Sequence, residues 1–260
     1  MKLFDLHCDT LYRAFTENRS IFEDDFHISF RKTKNIKPYI QCLAVWIPDE
    51  YRGQRAEQLF NGCADLLGKQ IAGTNIVLCK CKDDMRKIAD NGGTGVILTV
   101  ESGAVLAGKI ENIKRLADRH VKMMTLTWNG TNELGDGVGI EKHNRGLSDF
   151  GKRCVKEMEK YHIIVDVSHA SEKMFYDVAE IAEKPFAASH SNAKEVCPHQ
   201  RNLSDEQLQR TSGRPVRRRE TNEAAAGAEE KPAAGGGTGG TVGILVQGVA
   251  VFLDIDFADG

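Results

Sequence analysis

The chain lacks an excess of positive charge, a long apolar run and any paired-cysteine motif, and each absence removes a class of function. Lys and Arg number 35 against 37 Asp and Glu, for a formal net charge of -2, so there is no basic field to attract nucleic acid. No apolar stretch approaches the roughly 20 residues that span a bilayer. None follows Met1 as the core of a secretory leader either, because chemically loaded residues begin at His7. The seven cysteines (8, 42, 63, 79, 81, 154 and 197) are odd in number and scattered, without a CxxC. Cys79 and Cys81 stand too close together for zinc-ligand spacing and read as strand residues. A reduced, cytoplasmic protein is expected, with small-molecule partners, no nucleic acid and no membrane.

What is present is a core-forming α/β sequence, 41% hydrophobic over 260 residues. The stretch from Tyr161 to Asn202 organises it. Two apolar runs, Ile163 to Val167 and Pro185 to Ala188, each end in Ser-His, and the segment from Ser171 to Glu183 between them has helical spacing. That is a βαβ unit with His169 and His190 at the carboxyl ends of successive parallel strands, where open α/β sheets and barrels place their chemistry. One histidine ending a strand is ordinarily a capping or core residue. Two at equivalent positions of neighbouring strands suit a catalytic zinc site.

Residues 2 to 9 read as a first strand, in which His7 and Asp9 share a face. A second strand is expected over 40–47, a helix over 54–72, a short strand over 75–78 and a brief helix over 83–90 capped by Lys82 or Asp83. Gly95 to Val100 is a continuous apolar run ending in Glu101, hence a strand buried on both faces. A helix over 109–119 and a strand over 121–127 lead into residues 129–147, a Gly- and Asn-rich loop of the long kind that is usually functional. Ser148 is placed as a helix N-cap. Ser204 and Gln207 form a capping box, and Arg201 just before it is either a surface cation or a bidentate anchor for a substrate carboxylate.

From Thr211 the character changes. Residues 211–241 hold no Leu, Ile, Met or aromatic residue, with Val216 as their one branched aliphatic, and include Arg217 to Arg219 and Gly235 to Gly237. Those glycines are not a phosphate loop, since no Lys-Ser/Thr follows. Such a segment cannot bury enough surface to offset its ordering entropy. The expected division is therefore a barrel over 1–210, a disordered, protease-sensitive stretch over 211–241 and a remnant of a late strand over 242–260. The abrupt change matches translation in a shifted reading frame, and the chain as written is expected to be poorly soluble or of low activity.

Ligand-type residues at the carboxyl ends of four of these strands, with strand and helix alternating through most of the chain, predict a (β/α)8 barrel, incomplete at its C-terminal end, with a two-metal site at its mouth. One ion would sit on His7 and Asp9 and the other on His169 and His190. Glu101 would bridge them, and a shared water would be acidified for attack on a carbonyl.

Asp5-Leu6-His7-Cys8-Asp9-Thr10, Val100-Glu101-Ser102-Gly103, Leu126-Thr127-Trp128-Asn129, Gly146 to Gly151, Asp166-Val167-Ser168-His169 and Ser189-His190-Ser191-Asn192 through Asp205 together resemble the membrane (renal) dipeptidase family of zinc peptidases, in its bacterial form. The resemblance runs from residue 2 to about residue 209. It implies a TIM-like barrel with two zinc ions per chain that hydrolyses dipeptides, with Glu101 as bridging catalytic carboxylate and Arg201 on the substrate carboxylate. Trp128 and Asn129 would contact substrate, Trp128 standing where animal members carry a histidine. The family's late acidic motif has its nearest match at Asp256-Phe257-Ala258-Asp259-Gly260, one residue too long; the resemblance implies a proton-transfer role for Asp256, with Asp259 as the alternative. A homodimer is among the open oligomeric states. Two other readings stay in view: an amidohydrolase acting on another amide or cyclic substrate, and a non-catalytic truncated remnant.

Overall fold

The computed structural model describes residues 2–140, 142, 144–212, 245–246 and 249–250. Its elements, in chain order, are β1 (Leu3–Asp5), α1 (Thr10–Thr16), β2 (Tyr39–Trp46), α2 (Gly53–Ile71), β3 (Ile76–Leu78), α3 (Lys82–Asn91) and β4 (Thr94–Glu101). A 3-10 turn (Gly103–Leu106), α4 (Asn112–Asp118) and β5 (Val121–Thr125) follow, then a small hairpin, β6 (Thr131–Asn132) and β7 (Gly135–Asp136). The last part holds α5 (Asp149–Lys160), β8 (Ile164–Asp166), α6 (Glu172–Ile181), α7 (Asp205–Ser212), β9 (Leu245–Val246) and β10 (Val249–Ala250).

β2 and β4 read as continuous apolar runs because both their faces are covered. They form the centre of a parallel sheet ordered β1-β2-β4-β5-β8. β2 takes one edge of β4 along its whole length, so β3, opposite Thr94 to Val96, and β5, opposite Leu98 to Glu101, share the other. A register shift between Leu98 and Thr99 marks the change of partner. Period-2 alternation divides β4 between two cores. Val96, Leu98 and Val100 join the large cluster beneath the helices. Ile97 belongs to a smaller cluster on the other face, with Phe4, Leu6, Ile40, Cys42 and Met123. Gly95 lies on the same face by alternation, and a side chain there is excluded because a Cβ would lie 2.5 Å from Ile88 Cδ1 and 2.8 Å from Cys79 Sγ.

The polar signals at helix starts act as expected. Ser148 Oγ accepts from Gly151 N at 2.9 Å, Ser171 caps α6 through Met174 N, and Ser204 with Gln207 forms the capping box. At α3 the cap is Cys81 rather than Lys82 or Asp83, with Asp84 reaching back to the N–H groups of Lys80 and Cys81. The first strand stops at Asp5, because Asp9 already serves as the N-cap position of α1. The helix expected over 109–119 is confined to Asn112–Asp118. The strand expected over 185–188 reduces to one parallel bridge, Ala187 beside Asp166.

This is a parallel half-barrel, an incomplete (β/α) barrel. Among the described residues no parallel strand follows Ala187. β9 and β10 pair antiparallel with each other, and β9 lies near β1 without pairing with it. The rest of 211–260, with the expected disordered stretch, late strand and catalytic Asp256, lies outside the described residues apart from the end of α7. No helix among the described residues is long and apolar enough to cross a membrane.

Candidate metal centre

At the carboxyl end of β4 the inward-facing side chain is Glu101, whose residue is 4% exposed. Three imidazoles converge on its carboxylate. His169 Nε2 stands 2.7 Å from Oε1, His190 Nε2 3.4 Å from Oε1, and His7 Nε2 3.7 Å from Oε2. His7 comes from the segment just past β1, His169 from just past β8, and His190 from the chain beyond the Ala187 bridge. His7 stacks on His190 with ring centroids 3.8 Å apart, and His169 lies 5.0 Å from His190. His7, Glu101 and His190 offer ligand atoms that all lie within 4.8 Å of one another. Asp9, half exposed, reaches His7 Nε2 at 3.4 Å.

The backbone is strained on both sides of this cluster. Ser102, immediately after Glu101, has φ +97°, and His169 has φ +65°. Non-glycine residues in such regions cost on the order of 1–3 kcal/mol each and persist where the surroundings hold them.

Electrostatics follow from burial and from the carboxylate at the centre. Burial opposes ionisation of Glu101, yet the surrounding His169, His190 and His7 hold its carboxyl far below the usual range. Burial pushes His169 down to about 4, helped by the Arg201 guanidinium and in spite of Glu101. Burial and the neighbouring His7 likewise lower His190. Burial also acts against protonation of His7, but Asp9 and Glu101 outweigh it and raise its pKa.

The donor set fits a divalent cation. His190 Nε2 is buried with no hydrogen-bond partner, an orphaned atom aimed at a buried carboxylate. His169 and His190 both favour the neutral form that metals require.

The remaining predicted residues surround this centre. Asn129 Oδ1 lies 2.8 Å from His169 Nδ1, so the carboxamide is engaged with a histidine of the cluster. Trp128 packs 6.1 Å from the His169 ring and edge-on to Trp46 at 4.9 Å. Arg201 is half-buried; its Nη1 is enclosed and has no partner. Burial lowers its pKa, and the charges of Asp166 and Glu101 act on it in the opposite direction. A cleft of about 850 Å³ opens over the cluster, walled by Asp9, His27, Trp46, Trp128, His190 and Asn202 among others.

Sequence reasoning missed a layer beneath the histidines. Asp166 is 1% exposed and accepts four hydrogen bonds, from Ser168 N, Ser189 N, Thr125 Oγ1 and Ser189 Oγ. Ser189 Oγ in turn lies 2.7 Å from His190 Nδ1. Alternation along β8 could have exposed it, since Asp166 shares the inward face with Ser168.

Comparison with known proteins agrees with this architecture. The chain belongs to the membrane dipeptidase family, peptidase family M19, whose sequence profile matches residues 1–214. It is 28% identical over 166 residues to an uncharacterized protein from the PQQ-III 3' region of Acinetobacter calcoaceticus, covering 61% of this chain and 52% of that protein. To an uncharacterized dipeptidase of Schizosaccharomyces pombe it is 27% identical over 157 residues, covering 55% of this chain and 37% of the other. The chain thus spans about half or less of the length of these relatives. Its fold is similar to that of a metallo peptidase from Rhodobacter sphaeroides solved with a phosphinate mimic of the dipeptide L-Ala-D-Ala. The TM-score is 0.72 at 23% identity, covering 82% of this chain and 71% of that one.

Proposed function

We propose that this chain is a metal-dependent dipeptidase, with zinc as its ion and up to two ions per chain. The observation that carries the reading is the convergence of His7, His169 and His190 on the buried Glu101 at the carboxyl ends of parallel strands. Family membership supports it. His7, Asp9, Glu101, His169 and His190 are the residues that would hold the metal, with Glu101 shared between two positions. Zinc, when bound, supplies a Lewis acid that polarises a carbonyl and acidifies water.

The chain's own residues do the rest. Arg201 brings a guanidinium whose Nη1 has no hydrogen-bond partner near the cluster, suited to a free substrate carboxylate. That contact would restrict the enzyme to short peptides with a free C-terminus. Trp128 and Trp46 form an aromatic wall of the cleft that excludes water from one side of a bound dipeptide. The free state of all seven cysteines supports a reducing compartment, the cytoplasm.

Losing a desolvated charge pair of this kind costs on the order of 2–5 kcal/mol. Arg201→Met is therefore expected to raise KM steeply for free dipeptides and much less for their C-terminal amides. Equal effects on the two substrate series would remove Arg201 from the substrate site. A second reading, a chain that binds metal without turnover, is favoured by one observation: among the described residues the parallel sheet ends at the Ala187 bridge. Metal uptake with no hydrolysis across a dipeptide panel would select it.

A further inference from the structure

We propose that Asp166 is a positioning residue which, through the Ser189 hydroxyl, fixes His190 in the tautomer that carries its proton on Nδ1 and leaves Nε2 bare toward Glu101. An ionised carboxylate only accepts hydrogen bonds. Oδ1 of Asp166 is occupied by Ser168 N at 2.9 Å and Ser189 N at 3.0 Å, and Oδ2 by Thr125 Oγ1 at 2.8 Å and by Ser189 Oγ. The single hydroxyl proton of Ser189 is thereby committed to Asp166. Toward His190 Nδ1, at 2.7 Å, Ser189 can only accept, so that nitrogen bears the hydrogen. A neutral imidazole has one N–H. Nε2 is left with its lone pair, buried, without a hydrogen-bond partner and facing Glu101.

Asn129 makes the corresponding contact to His169 Nδ1. A carboxamide can present either oxygen or nitrogen, however, so it does not settle a tautomer as a carboxylate-anchored hydroxyl does. The backbone N–H of His190 is held as well, by Ser168 Oγ at 3.1 Å. The tautomer of the ring is therefore set from one buried carboxylate, and its position by that carboxylate together with the Ser168 hydroxyl. The geometry stands by itself; its consequence for metal binding rests on the function proposed above.

Asp166→Asn tests the relay because the two backbone N–H groups at the Oδ1 position keep the carboxamide oxygen there. The NH2 group then occupies the Oδ2 position and donates to Ser189 Oγ. Ser189 is freed to donate to His190 Nδ1, and the ring proton moves to Nε2, where it blocks coordination. The readout is nitrogen-15 NMR of the metal-free full-length chain with ring-labelled histidine, His190 being assigned by its loss in His190→Gln. The wild type is expected to show Nδ1–H at His190 and Asp166→Asn to show Nε2–H. Zinc affinity in that variant should fall by about 10- to 100-fold, the usual effect of losing an outer-shell partner. Ser189→Ala, which leaves Asp166 three of its donors, is expected to give a mixture of tautomers and covers the case in which Asp166→Asn does not fold.

A wild-type His190 carrying Nε2–H, or a tautomer unchanged in Ser189→Ala, overturns the relay. A wild type with the Nδ1–H ring that takes up no zinc overturns the metal reading and leaves the relay standing.

Discussion

His190 was visible in the sequence as a strand-end histidine, whereas the groups that orient it were not, and the reason lies in what a single side chain advertises. A His at the end of an apolar run stands out against its neighbours. Asp166, Ser189 and Thr125 are unremarkable polar residues until the fold places them around one another. Asn129 belongs with them, its carboxamide 2.8 Å from His169 Nδ1. At this scale a pH prediction follows for Asp136. Burial works against its charge, but Arg145 N, at 2.7 Å, and Thr131 Oγ1, also at 2.7 Å, hold its pKa below the ordinary carboxylate value. A carboxyl lowered in the folded state stabilises the protein fully above its unfolded pKa of about 4 and loses that contribution as the pH falls through the folded value. Denaturant unfolding of wild type and Asp136→Asn across the acid range should give a stability difference that is constant above about pH 5 and shrinks below pH 4. A difference independent of pH would contradict the assignment.

At the scale of elements, the long helices and central strands were legible because their periodicity runs over several turns or over a fully buried length. α2 and β2 each lie within a residue of the expected bounds. The short elements at the rim were not, because their length is set by tertiary pairing. Pro185 to Ala188 offers the pattern of a strand, but only Ala187 finds a ladder partner. The loop over 129–147 contains a small hairpin that leaves no periodic trace in the sequence. Its glycines are where the loop touches the site. A Cβ on Gly137 would lie 2.1 Å from Trp128 O and 2.7 Å from Asn129 C, and backbone atoms cannot yield as a side-chain tip can. Gly137→Ala should therefore displace the segment carrying Trp128 and Asn129, lowering stability by about 1–3 kcal/mol, the typical cost of overpacking. Hydrolysis, if present, should drop with it. Unfolding and kinetics indistinguishable from wild type would show that the loop accommodates the methyl.

At the scale of the molecule, the sheet is open at both ends among the described residues. β1 has no hydrogen-bonded neighbour on its outer side among the described residues, and the opposite end stops at the Ala187 bridge. Unpaired edge N–H and C=O groups are templates for pairing with another chain, and a barrel removes them only by closing. Sedimentation velocity over a concentration series should show association growing with concentration. A single monomeric boundary throughout would mean that both edges are covered. The change in composition after Thr211 was plain in the sequence because it is a matter of residue types over many positions, whereas whether a late strand completes the sheet depends on pairing that composition does not encode.

The claim on which the account turns is that Glu101 is the shared carboxylate of a metal centre, and it is tested most directly by zinc content of the purified full-length chain measured beside Glu101→Gln. Up to two zinc ions per chain are expected in the wild type and a loss at both positions in the variant, since one neutral carboxamide replaces the carboxylate that all three histidines face. A wild type that takes up no zinc, or a variant with full occupancy and unchanged hydrolysis, would contradict it.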